Sequence, residues 1–123
     1  MSNQIVTPAQ IEARLKALSK EIDDVHADLV DAERDYNYKK ADYEINMAKS
    51  RMEYASKSSP TGKNYTVQER EDMAVLDNVQ LHYDLAISEA KVKAARANAN
   101  RIKTQVEIAR SIGTSVRTSL DLV

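Results

Sequence analysis

The chain has 123 residues, 30% of them charged, a net charge of −1 and a 42% hydrophobic content that leans on Ala. Cys, Phe and Trp are absent, which excludes disulfides and thiolate metal sites and leaves few large side chains for the core of a globule. No run of about 18 apolar residues is present, so no membrane span is expected.

The N-terminal stretch Met1-Ser2-Asn3-Gln4-Ile5-Val6 has neither a basic region nor an apolar one, so no secretory signal is expected there. The expected location is the cytoplasm. Thr7-Pro8-Ala9-Gln10 opens the first helix. Thr7 is placed to cap it, Pro8 occupies the first helical position where a missing N–H costs nothing, and Gln10 can reach back. Apolar positions then alternate by four and three through Ile11, Leu15, Leu18, Ile22, Val25, Leu29, Ala32 and Tyr36, which is the seam of a coiled coil. Beyond Tyr36 the pattern shifts by one residue, to Lys40, Tyr43, Met47 and Tyr54.

Ser58-Ser59-Pro60-Thr61-Gly62-Lys63-Asn64 breaks the periodicity, with Gly62 expected to supply a positive φ at the end of helix one. Thr66-Val67-Gln68-Glu69 is a second capping box. Helix two carries a seam of Leu81, Leu85, Ser88, Val92, Ala95, Ala99, Ile102, Val106, Ala109, Gly113, Val116 and Leu120. A further stripe, Leu76, Val79, Tyr83, Ile87, Ala90 and Ala94, implies more than one helical neighbour.

The expected fold is therefore all-α: a long antiparallel two-helix hairpin, a coiled coil assembling into a homo-oligomeric helical bundle. One domain covers residues 1–123, with helix one over about 8–58, the turn over about 59–65 and helix two over about 66–121. Each arm would be about 75 Å long at 1.5 Å per residue. Antiparallel pairing sets residue i roughly opposite residue 125 − i. The acidic block at 21–35 then meets the basic block at 90–117, which fixes register more than it adds stability. Leu76, Val79, Tyr83 and Ile87, with Ile112, Val116 and Leu120 near the end, are the expected oligomer interface.

No constellation for catalysis can be singled out, so no enzymatic activity, cofactor, metal or small-molecule substrate is expected. His26 and His82 lack a helical metal spacing, and Pro60-Thr61-Gly62-Lys63-Asn64 lacks the residues of a phosphate loop. The tip of the hairpin gathers Arg51, Tyr54, Lys57, Lys63, Tyr65 and Arg70, mixing phosphate-binding cations with rings able to stack on unpaired bases. Arg110 and Arg117 lie opposite the start of the chain, where acids are scarce, and join them as candidate nucleic-acid-binding residues.

Thr66-Val67-Gln68-Glu69-Arg70-Glu71 and Arg101-Ile102-Lys103-Thr104-Gln105-Val106-Glu107-Ile108-Ala109-Arg110-Ser111-Ile112 resemble segments of small phage-encoded helical proteins found near recombination genes. The layout over residues 36–117 is similar to the UvsY-type recombination mediators: a helix rich in Lys and Tyr, a short basic turn and a second long helix. The resemblance implies a phage-type DNA-metabolism accessory protein that binds single-stranded DNA as an oligomer and works beside a recombination protein. The alternative is a structural or adaptor coiled coil that mediates protein–protein assembly without nucleic acid.

Overall fold

A computed structural model describes residues 6–122. The stretch read for a secretory signal, up to Ile5, and the terminal Val123 lie outside the described residues. The chain is all-helical, and no strand occurs among the described residues. The helices are α1 (Pro8–Ser56), α2 (Val67–Asp77) and α3 (Val79–Asp121), with α1 packing against α3.

Both capping boxes form. Thr7 N–H donates to Gln10 Oε1 at 2.9 Å and Gln10 N–H to Thr7 Oγ1 at 3.2 Å, so two otherwise orphan donors of the first turn are satisfied. Thr66 and Glu69 repeat this exchange at the start of α2.

The turn between α1 and α2 is built on Ser59-Pro60-Thr61-Gly62. Gly62 N–H donates to the Ser59 carbonyl at 2.9 Å, and Ser59 N–H donates to the Lys63 carbonyl at 2.7 Å. Pro60 presets the second position of this turn, and Gly62 takes φ 81°. A lone antiparallel bridge joins Ser58 to Asn64. The expectation that Gly62 terminates helix one is corrected: α1 has already ended at Ser56, and Gly62 serves the tight turn itself.

The expected second helix is also corrected, because Asn78 divides it into α2 and α3. Asn78 takes φ −116° and ψ 25°, and its backbone N–H is shared between the carbonyls of Ala74 and Val75. Its side chain is buried and explains the interruption. Asn78 Nδ2 donates to Ser50 Oγ at 2.9 Å and to the Ala74 carbonyl at 2.8 Å, and lies 3.8 Å from Met47 Sδ. A side-chain amide that bonds backbone in this way competes with the regular helical ladder.

Packing divides the chain into two compact units: one of residues up to Val30 with those from Ala94, the other Asp31–Lys93. In the first unit, Leu18 is fully buried against Val106 and Ala109, with Leu15 packed on the same cluster. Full burial of such a leucine contributes about 1.5–3 kcal/mol. Gly113 sits inside α3, where a helix former would normally be preferred by about 1 kcal/mol. A Cβ there would stand 3.2 Å from Ile11 Cγ2, so the missing side chain lets Ile11 approach the α3 backbone.

In the second unit the seam is partly polar: Met47, Ser50, Tyr54, Ala74, Asn78, Ser88 and Val92 are buried. Ser88 satisfies its hydroxyl on the Leu85 carbonyl at 2.8 Å. The expected one-residue shift of the seam after Tyr36 is only partly seen. Lys40 is exposed, whereas Lys39 and Asn46 are half-buried and Ser50 is buried, so the heptad continues while Met47 and Tyr54 join it from the adjacent row. Lys39 tolerates this position because its ammonium reaches Asp35 at 3.0 Å while its stem lies along the helix.

The expected antiparallel register holds inside each unit, bringing Ile11 to Gly113 in one, and Tyr43 to His82 and Met47 to Asn78 in the other. Several ion pairs are local. Arg34–Asp31, Lys39–Asp35, Lys57–Glu53 and Lys93–Glu89 join residues of one helix, and Arg51–Glu71 joins α1 to α2. A flexible surface cation finds the carboxylate three or four residues away at lower entropic cost than one across the seam.

The Asn78–Ser50 pair generates a test. Asn78→Ala is expected to lower unfolding free energy by about 1–3 kcal/mol, because the Ser50 hydroxyl is left buried without its partner. The Ser50→Ala/Asn78→Ala double variant is expected to lose less than the sum of the single losses, as read by urea unfolding followed by circular dichroism.

Candidate functional site

The tip residues do come together around the turn, but most of their polar groups are engaged by the protein itself. Arg51 forms a two-pronged pair with Glu71, Nε to Oε2 at 2.7 Å and Nη2 to Oε1 at 2.9 Å. This bond raises the arginine's pKa and holds the Glu71 carboxyl below its ordinary value. Bidentate geometry of this kind is the strong form of the interaction.

Lys57 pairs with Glu53, which raises its pKa, and its ammonium also lies 5.6 Å from the centre of the Tyr54 ring. Arg70 is half-buried and donates Nε–H to the Tyr65 carbonyl at 3.2 Å, bracing the loop that leads into α2.

Tyr54 is buried, and Tyr65 meets it edge to face with ring centres 5.3 Å apart. Hydrogen bonding to Asp77, together with burial, pushes the Tyr54 phenol up to about 12. The two rings therefore close the seam beneath the turn, and the buried Tyr54 ring is not available for stacking on a base. Among the described residues, Lys63 has no side-chain hydrogen bond or ion pair, and it is exposed in the turn.

Arg110 and Arg117 lie exposed on α3 and make no hydrogen bond or ion pair among the described residues. Lys103 shares this property and was not singled out from the sequence. The three recur every seven residues, so they line one face of the helix about 10 Å apart. The signal was the spacing, which the larger basic block of residues 90–117 obscured.

The expected interface residues separate into two groups. Leu76, Val79, Tyr83 and Ile87 are exposed in the second unit, with Leu76 at 66% and Tyr83 at 59%. In the first unit Ile112 and Leu120 are exposed, but Val116 is half-buried beside Ile11, Leu15 and Gly113 and belongs to that unit's own seam.

His82 packs against Tyr43 at 5.7 Å and Tyr83 at 6.2 Å between ring centres. Among the described residues no group of three or more His, Cys, Asp or Glu could hold a metal ion, and no helix is long and apolar enough to cross a membrane.

The raised Tyr54 pKa has a defined sign. Its folded value lies above the ordinary 10, so the contact stabilises fully below pH 10 and is lost as pH rises toward 12. Ultraviolet titration is expected to show one late tyrosine among the six, removed by Tyr54→Phe. The same variant is expected to flatten the loss of stability between pH 10 and 12.

Comparison with protein-family models, curated proteins and solved structures gives no match, so no relative supplies a function for these surfaces.

Proposed function

We propose that this chain works by assembly: it is a helical adaptor or scaffold that self-associates and presents apolar helix faces to protein partners. The observation that carries this reading is the exposed stripe of Leu76, Val79, Tyr83 and Ile87, which remains uncovered although the α1–α3 seam is already complete. Isolated exposed apolar residues are ordinary, but a row at helical spacing has the pattern of a face awaiting another helix. No residue is assigned a catalytic role, and no cofactor is required.

A second reading, a recombination-mediator-like accessory protein that binds single-stranded DNA as an oligomer, is favoured by one specific observation. Lys103, Arg110 and Arg117 form a regular row of unpaired cations among the described residues. With Lys63 they are better placed for phosphate than Arg51, Lys57 and Arg70, whose charges are held by the protein.

Sedimentation velocity tests the first reading. Self-association in the micromolar range is expected, weakened at least tenfold in Leu76→Ser/Tyr83→Ser; a chain that stays monomeric at 100 µM overturns it. Fluorescence anisotropy with a labelled single strand tests the second. Three phosphate contacts give log K a slope of roughly −2 against log salt. Lys103→Glu/Arg110→Glu/Arg117→Glu is expected to abolish binding, while reversal of Arg51, Lys57 and Arg70 leaves most of it. No binding by the wild type at low salt eliminates the DNA reading.

A further inference from the structure

The face of α1 turned away from its seam carries a second, unanticipated heptad. Tyr38, Ala41, Ile45, Ala48, Met52 and Ala55 follow one another by three and four residues, and all six are exposed. The three large members are among the most accessible apolar side chains of the chain, at 77%, 55% and 74%. Each lies two residues after a seam position, at 36, 43 and 50, so the stripe is about 200° around the helix from the seam. Within its unit, α2 reaches only the far end of the stripe, beside Met52 and Ala55, and leaves all six residues exposed.

The order of sizes along this stripe specifies its occupant. Large residues occupy every first position and alanine every second position of the repeat. In a parallel, in-register pair, tyrosine would face tyrosine and alanine would face alanine, so crowded and empty layers would alternate. An antiparallel pair of identical stripes brings Tyr38 to Ala55, Ala41 to Met52 and Ile45 to Ala48 of the second copy. Every layer then combines one large and one small side chain, the arrangement that fills space between closely approaching helices.

Charge agrees with that geometry. The residues flanking the stripe are Asp42 and Lys49 on one side and Glu44 and Arg51 on the other. The antiparallel pairing places Asp42 beside Lys49 and Glu44 beside Arg51 of the second copy, twice each by symmetry. Glu44 and Lys49 have no hydrogen bond or ion pair among the described residues, and Arg51 is already shared with Glu71. The receiving end is shaped as well: Met52, Ala55 and Val67 border one open hollow with Arg51 at its rim. The second copy's tyrosine would lie over Ala55 in this hollow, covering Val67, which is otherwise exposed.

We infer that two copies of this chain pair through the Tyr38–Ala55 face of α1, antiparallel and about a two-fold axis near residues 46 and 47. This rests on the assembly reading and deepens it by assigning an interface distinct from the Leu76–Ile87 stripe. A two-fold pairing of this kind is closed and self-complementary, so it adds one copy and stops.

The absence of cysteine makes cross-linking a clean test. A mixture of Tyr38→Cys and Ala55→Cys chains is expected to give the mixed disulfide under mild oxidation. Tyr38→Cys alone is expected to give none, because an antiparallel pair holds the two positions about 25 Å apart. Cross-linking of Tyr38→Cys to itself without the mixed product overturns the antiparallel arrangement. In sedimentation, Ala48→Glu is expected to weaken association at least tenfold with helical content unchanged, since Ala48 is exposed. Lys49→Glu is expected to weaken it, and Asp42→Lys/Lys49→Glu to restore it. Full association in Ala48→Glu, with loss in Leu76→Ser/Tyr83→Ser, overturns this face while leaving assembly intact. A wild type that never associates overturns both.

Discussion

Two helices can cover only one stripe of each other. In each packed unit the line of residues spaced by four and three meets its counterpart, and little else leaves water. Leu18, Val106 and Ala109 in one unit, and Met47, Ala74 and Val92 in the other, are buried for that reason. One consequence of this narrow core is that, among the described residues, large apolar side chains away from the seam are exposed.

A narrow seam also leaves little apolar area with which to define a register. The chain adds shape and hydrogen bonding at particular points. Gly113 admits Ile11 to the backbone of α3, and Asn78 reaches Ser50, Met47 and Ala74 from a single buried side chain. A slip by one turn would take the amide away from Ser50 and forfeit that buried hydrogen bond. The interruption between α2 and α3 is thus the local consequence of a polar group that makes one alignment preferable to others.

The same economy governs the tip. Residues that suggest a ligand surface in the sequence are largely used to close the turn: Arg51 on Glu71, Lys57 on Glu53, Arg70 on the Tyr65 carbonyl, and the two tyrosines on each other. What remains outward-facing is apolar on α1 and on the α2–α3 side, and basic along the later part of α3. On the proposed readings these faces would serve assembly first, and phosphate would fall to the α3 row and Lys63 rather than to the paired cations of the tip.

Periodicity and capping determined the helices, the break between them and the antiparallel register, because each is local or follows from chain connectivity. Thr7 with Gln10, and Thr66 with Glu69, could be read directly, and so could the seam from Leu81 to Val116. The outward heptad of Tyr38, Ile45 and Met52 is equally present in the sequence, masked there by the stronger seam pattern of Tyr36, Tyr43, Met47 and Tyr54 on the same helix. Tertiary structure alone decided which tip cations are occupied and which row of α3 is free. It also decided that Asn78 rather than a hydrophobe occupies the buried position at the helix break. Those outcomes depend on distances between residues far apart in the chain, and composition and spacing along a helix carry no such distances.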